Sequence, residues 1–138
     1  MAYYNKIGLL ILSEDKTKFL VCEKAPENVT ADYIMPGGQF QEKTIEECLK
    51  NEIREELNCE VDFSTLMFVD EYIDAAAGQP DKEVSIKLYK ASIIGNPIAS
   101  TEIKALHFIG KEDVENIKVS PIIRNKIIPS LIEKGILL

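Results

Sequence analysis

Two apolar runs near the start of the chain predict a pair of buried strands. Residues 7–12 and 19–22 are apolar throughout, and polar residues, 13–16 among them, lie between the two runs. Continuous apolar runs of this length are typical of strands that are covered on both faces. A short polar stretch between two such runs is typical of a turn. We therefore expect these runs to pair as a hairpin.

The clearest helical pattern covers residues 44–57. Thr44 followed by Glu47 matches a capping box at the start of a helix. Asn58 is expected to end the helix, because asparagine tolerates the left-handed conformation. Just before this segment, Pro36-Gly37-Gly38 predicts a turn. One apolar stripe at helical spacing is expected to face the core; it consists of Ile45, Cys48, Leu49, Ile53 and Leu57.

The rest of the chain alternates between strand patterns and turn signals. The sequence predicts one or two strands over 61–73, a loop over 75–83, strands over 84–94 and 103–109, a helical turn over 111–116 and a terminal helix over 121–136. Pro129 is expected to kink or split that last helix. Strands placed before, between and after two helices indicate an α/β fold, with a mixed sheet and helices on its faces.

Size and charge narrow the class of partner. The chain has 138 residues, which predicts a single domain over 1–138. Its formal net charge of −7 argues against a general nucleic-acid binder, which needs a basic face. An acidic protein can still bind a small phosphate compound through a metal cation between its carboxylates and the phosphates. We therefore expect a small-molecule partner and no nucleic acid, and the sequence leaves a homodimer open.

Cysteine usage and hydropathy address the compartment. The chain has three cysteines, Cys22, Cys48 and Cys59, at spacings that suggest neither a disulfide framework nor a zinc site. A reducing cytosol fits this usage best, so we expect a cytoplasmic protein. No apolar stretch approaches the roughly 20 residues of a membrane helix, so no membrane partner is expected.

Two local patterns offer a phosphate or metal site. Gly37 followed by Glu42-Lys43-Thr44 comes close to a phosphate-binding P-loop, but Glu42 replaces its second glycine and would repel phosphates. The stronger pattern is acidic: the glutamates at 52, 55 and 56 share one face of the predicted helix. Such a face is either simply solvated or holds a divalent cation, and the preceding glycine turn, which can add a backbone carbonyl, favours the cation.

With these residues in view, the sequence resembles the Nudix hydrolases. The family motif is G-x5-E-x7-R-E-U-x-E-E-x-G-U, where U is aliphatic, and the chain carries PGG at 36–38 and NEIREELNC at 51–59. The resemblance implies an α/β/α sandwich with a mixed β-sheet. It also implies hydrolysis of a pyrophosphate bond in a nucleoside diphosphate linked to another group. The implied cofactor is Mg²⁺ or Mn²⁺, held by Glu52, Glu55, Glu56 and a carbonyl of Gly37 or Gly38, with Glu52 orienting or deprotonating the water.

The chain also departs from that motif. The loop after Gly38 is one residue short, and Lys43, Asn51 and Asn58 stand where the motif has Glu, Arg and Gly. In the family the first two of these are thought to pair and to hold the catalytic glutamate. Their joint loss supports an alternative function, in which a Nudix-fold module binds a nucleotide or a partner with weak or no hydrolysis.

Three further residues are candidates by position. Glu102 precedes a predicted strand, and many Nudix enzymes have a late-loop carboxylate that adds a metal ligand or a base. Phe40 and Tyr72 could stack on a nucleobase, although aromatic residues near a cleft more often pack in the core. The predicted site therefore consists of the glycine turn, the acidic helix face and these three outlying side chains.

Overall fold

The computed structural model describes residues 2–24, 33–41, 44–76, 79–101 and 103–138. In chain order its elements are β1 (Tyr4–Leu10), β2 (Lys18–Lys24), β3 (Tyr33–Ile34), β4 (Gly37–Gln39), α1 (Ile45–Leu57), β5 (Glu60–Ala76), β6 (Gln79–Ile94), β7 (Ile103–Gly110), a 3-10 turn (Lys111–Glu115), a π-helical turn (Ile123–Ile127) and α2 (Ile128–Glu133).

The strands form two sheets. One is mixed, with the order β4-β1-β6-β5, and the other has the order β3-β2-β7. In the mixed sheet β1 runs parallel to β6, and the β4–β1 and β5–β6 pairs are antiparallel. The second sheet is antiparallel.

The prediction that the two N-terminal apolar runs pair as a hairpin is wrong except next to the turn. A single bridge joins Leu12 to Phe19, and Ser13 donates its N–H to the carbonyl of Lys18 at 2.8 Å. The two strands then separate into different sheets. Both runs are apolar because both are covered, but their ladder partners lie far along the chain, where a local pattern does not reach.

Helices cover the strands from opposite sides. The apolar stripe of α1 packs with Ile7 and Leu9 of β1 in one hydrophobic cluster. The C-terminal helical segment, including Ile127 and Leu131, packs with Leu88 of β6 in a second cluster. The predicted α/β/α sandwich with a mixed sheet is confirmed.

The helix predicted over 44–57 forms with both of its predicted ends. The hydroxyl of Thr44 accepts the N–H of Glu47 at 3.1 Å. Asn58 has a φ of 56° and donates its N–H to the carbonyl of Arg54. The apolar stripe of α1 is buried in the core, and this packing fixes the direction of the acidic face.

Two other predictions need correction. The loop predicted over 75–83 is wrong, because β5 continues to Ala76 and β6 begins at Gln79. Pro80 fits into the strand because the β5–β6 register shifts beside it, and a bulge tolerates proline. The terminal helix is not split at Pro129, because a π turn precedes the proline and Ile128 donates its N–H to the carbonyl of Ile123, five residues back. No helix in the described ranges is long and apolar enough to cross a membrane.

Candidate active site

The two glycines of β4 let three pieces of the chain approach closely. In the β1–β4 ladder Gly38 lies opposite Ile7 and Gly37 lies opposite Gly8. Gly37 has a φ of 133°, and a side chain there would collide with the carbonyl oxygen of Ile7. A Cβ atom at Gly38 would lie 2.6 Å from Oε1 of Glu52. The carboxylate of Glu52 therefore packs directly on the β4 backbone.

The structure brings the predicted acidic face and glycine turn together. Glu52, Glu55 and Glu56 line one cavity of about 180 Å³. Gly37 and Gly38 form part of the same wall. Glu52 is half-buried at the junction of α1 and β4, and Glu55 is exposed at the rim. Five residues from two separate segments, chosen from sequence alone, thus share one site.

Glu56 is the most buried of the three glutamates, with 4% of its surface exposed. Its Oε1 accepts the N–H of Gly37 at 2.9 Å, and its Oε2 accepts a hydrogen bond from Nζ of Lys24 at 3.2 Å. Burial raises the pKa of Glu56, and the Lys24 charge and the Gly37 N–H oppose that rise. Glu56 thereby ties α1 to both β4 and β2.

Two lysines of this cavity, Lys6 and Lys24, were missed by sequence reasoning. Lys6 is half-buried on β1. Burial and the nearby Lys24 charge lower the pKa of Lys6, against the opposing charges of Glu56 and Glu52. The sequence could have pointed to Lys6, because the predicted strand starts at Ile7 and can be extended towards the N-terminus. In the extended strand Lys6 and Tyr4 lie on the same face of β1.

An apolar cavity of about 200 Å³ adjoins the acidic one and shares Lys6 and Met35 with it. Its wall includes Val84 and Ile122, and Tyr4 donates its hydroxyl to Gln79 at one end at 2.9 Å. Ser120 also lines it, with 2% of its surface exposed. No hydrogen-bond partner for the Ser120 hydroxyl exists within the described ranges. The wall of this cavity is therefore mainly apolar, and Ser120 within it has a buried hydroxyl with no partner among the described residues.

Phe40 and Tyr72 do not line the acidic cavity. Phe40 is 41% exposed and lines a neighbouring hollow rather than the acidic cavity. Tyr72 is 7% exposed in the core, and its hydroxyl lies 2.8 Å from that of Ser130. This placement argues against the stacking role predicted for Tyr72. Lys43 and Glu102 are outside the described residues.

Comparisons with known proteins address the fold. No protein-family model matches the sequence, and neither does any curated protein. Solved structures do match. A MutT protein from Methanosarcina mazei superimposes with a TM-score of 0.74 at 16% identity, over 96% of each chain. The ORF135 protein of E. coli gives 0.72 at 17% identity, over 95% of this chain and 89% of that one.

A third match is the Nudix domain of Shewanella oneidensis NrtR, solved in complex with ADP ribose. It gives a TM-score of 0.69 at 10% identity, over 98% of this chain and 90% of that domain. The chain has the Nudix hydrolase fold. At these identities the likeness concerns the backbone alone.

Within the Nudix fold, one departure from the motif is structurally conservative. Asn58 stands where the motif has Gly, and it takes the left-handed conformation in which Asn is the usual substitute. Asn51, at the position of the motif Arg, is exposed on α1. The carboxylate of Glu52 lies against the backbone of Gly38.

Proposed function

We propose that this chain is a divalent-metal-dependent hydrolase that cleaves a pyrophosphate bond in a nucleoside diphosphate linked to another group, such as a nucleoside triphosphate. One observation carries the proposal. In a Nudix fold, the three glutamates of the acidic helix face and the glycine turn of β4 line one cavity. The adjoining apolar cavity is where the nucleoside part would lie.

The donor set is compatible with Mg²⁺ or Mn²⁺ in chemical type. Both ions prefer carboxylate and carbonyl oxygens, and Mg²⁺ takes few of them from the protein and the rest from water and phosphate. Glu52, Glu55 and the β4 carbonyls would hold the ion, with Glu56 joining them once Lys24 moves away. When bound, such an ion neutralises charge on the leaving phosphate and activates water.

The part proposed for Glu52 rests on its position. Hydrolysis adds water across a P–O–P bond, and a proton of the water must be accepted. The Glu52 carboxylate is half-buried and held against Gly38, so it can receive a hydrogen bond from a water and keep that water in one orientation. Glu55, at the exposed rim, is less constrained.

A second function is a Nudix-fold module that binds a nucleotide or a partner with weak or no hydrolysis. Specific observations favour it. Both oxygens of Glu56 are already hydrogen-bonded, to Gly37 and Lys24. Across the described ranges, no group of three His, Cys, Asp or Glu side chains is arranged to hold a metal ion. The NrtR Nudix domain is a neighbour that was solved with ADP ribose bound.

Release of phosphate and pyrophosphate from a panel of nucleotides separates the two functions. Each nucleotide is incubated with the wild-type chain and Mg²⁺, and again with excess chelator. Turnover that requires Mg²⁺ supports the hydrolase. Turnover that survives the chelator contradicts the metal-dependent mechanism. A nucleotide that raises the melting temperature without being cleaved supports the binding module instead.

A further inference from the structure

Lys6 lies where the acidic cavity and the apolar cavity meet. Its side chain lines both of them, together with Ile34 and Ile86. On β1 it stands opposite Gln39 of β4 and beside Ile86 of β6, so both neighbouring strands flank it. A ligand that extends from one cavity into the other must pass this ammonium group.

The amino group of Lys6 is half-buried, and no counter-ion touches it in the described part of the chain. The described residues offer it neither a hydrogen bond nor an ion pair within 4.0 Å, and the nearest ring is that of Tyr4, whose centroid lies 5.9 Å from Nζ. Lys24, in the same cavity, is paired with Glu56. Burying a charge without a directly contacting partner is unfavourable, so an ammonium that touches no carboxylate within the described ranges and lies between two cavities points to an anionic ligand.

The position of the charge limits which anion it meets. The carboxylates of Glu52 and Glu55 repel bare phosphates, so the phosphates farthest from the apolar cavity need a cation there. Lys6 belongs to the boundary between the two cavities, because it lines both of them. It therefore faces the phosphate that is joined directly to the apolar part of a ligand.

We propose that Lys6 binds the phosphate attached to the nucleoside, and that it thereby selects nucleotides over the corresponding nucleosides. This inference rests on the proposed function for the placement of the nucleoside. It differs from that function in needing neither hydrolysis nor a bound metal. It assigns Lys6 a role in binding and specificity, and Lys24 keeps its pairing with Glu56.

The test compares two lysines of neighbouring strands. Lys6→Met removes the charge and keeps the length of the side chain, and Lys6→Arg keeps the charge. Lys87→Met is the matched control, because this substitution changes the net charge by the same amount. Lys87 is exposed on β6 and lines neither cavity. Calorimetry measures binding of the four common nucleoside monophosphates and of their parent nucleosides. The buffer contains chelator and about 0.15 M salt, which screens distant charges.

We expect the wild-type chain to bind a monophosphate more tightly than its nucleoside. Lys6→Met should lower the affinity for the monophosphate about tenfold or more, the size expected of one charge-assisted hydrogen bond, and should change nucleoside affinity less than about twofold. Lys6→Arg and Lys87→Met should stay close to wild type. Lys6→Met should also melt at a higher temperature, since it removes an unpaired, half-buried charge, so a folding defect is visible separately.

Several results would overturn the role of Lys6. One is a Lys6→Met variant whose affinity for the monophosphate is within twofold of wild type. Another is a variant that loses equal affinity for the nucleoside and for the monophosphate. The third is a wild-type chain that binds no monophosphate more tightly than its nucleoside. Failure of the proposed function is distinguishable from these. A chain that binds monophosphates through Lys6 but cleaves no nucleotide with Mg²⁺ loses the hydrolase and retains this inference. If wild type and Lys6→Met cleave nucleotides with the same KM, the hydrolase is retained and the role of Lys6 is lost.

Discussion

At the scale of single residues, the position of Glu52 depends on packing against a residue that has no side chain. The carboxylate occupies the volume that a Cβ atom of Gly38 would take. Asn51, its neighbour on α1, is exposed and neutral where the motif has a charged Arg. Contact with Gly38 of β4 is therefore one restraint on the position of the Glu52 carboxylate.

Glu52→Gln is the sharpest test of the catalytic assignment. Because the amide cannot accept a proton from water, kcat should fall by about 10² to 10⁴ on a substrate that the wild type cleaves. The change is nearly isosteric, so the melting temperature should move little. Glu46→Gln, an exposed change in the first turn of the same helix, is the control. A Glu52→Gln variant as fast as the control would remove Glu52 from the mechanism.

Glu56 should make stability depend on pH in a specific direction. Its ordinary pKa is 4.5, and burial raises the pKa in the folded protein, so the folded state holds the proton more tightly. Its favourable contribution is then fully present below pH 4.5 and is lost as the pH rises through the raised pKa. Relative to Glu56→Gln, the wild type should therefore lose melting temperature as the pH rises above 4.5.

The Glu46→Gln control should follow the wild type across the same pH range, because Glu46 is exposed in the first turn of α1. Melting curves recorded in the absence of divalent ions keep the comparison free of metal binding. A constant difference between wild type and Glu56→Gln would contradict the prediction, and so would one that grows in favour of the wild type at high pH.

Lys24 should weaken metal binding, since its ammonium group lies 3.2 Å from an oxygen of Glu56. Lys24→Met removes the competing cation, and we expect it to bind Mn²⁺ up to about tenfold more tightly, as measured by electron paramagnetic resonance without substrate. Lys18→Met is the control, because it changes the net charge by the same amount and breaks a different ion pair, that of Lys18 with Glu112. Equal Mn²⁺ affinities in the two variants would show that Lys24 does not compete.

At the scale of elements, α1 carries the acidic face, and its first turn has a single side-chain cap. Thr44→Ala removes the acceptor for the N–H of Glu47 and should lower the free energy of unfolding by about 1 kcal/mol. Urea unfolding measures this loss, and Thr44→Ser, which keeps the hydroxyl, should retain most of the stability. Equal losses in both variants would assign the effect to the methyl group rather than to the cap.

The elements differ in how well the sequence predicts them, for a physical reason. Everything that specifies α1 is local: the cap at Thr44, the apolar stripe and the left-handed Asn58 lie within one segment. The partners of β1 and β2 are not local, so two apolar runs beside a turn were wrongly paired. Tyr72 was uncertain for the same reason, because its contact with Ser130 joins distant segments.

At the scale of the whole molecule, the residues of the candidate site also differ in whether a local sequence pattern predicts them. The glutamates and glycines carry a spacing that a sequence displays. Lys6 and the unsatisfied hydroxyl of Ser120 become neighbours of the site only because the sheet and the C-terminal helix enclose a cavity. A site that is formed by distant strands leaves no local pattern in the sequence. Its polar residues cannot be distinguished there from the polar residues that commonly stand at the ends of strands and helices.

The parallel pairing of β1 with β6 also bears on how the chain folds as it is made. Tyr4 pairs with Val84, whereas the only neighbour of β1 that is synthesised early is the short β4. A chain ending at Ala76 contains β1 to β5 but lacks the central strand, so we expect proteases to degrade it as fast as an unfolded chain, while the full chain resists. Resistance of that fragment would contradict the prediction. During translation the edge of β1 that pairs with β6 stays open until β6 leaves the ribosome, so the speed of synthesis through β6 limits how long the nascent chain is prone to aggregate.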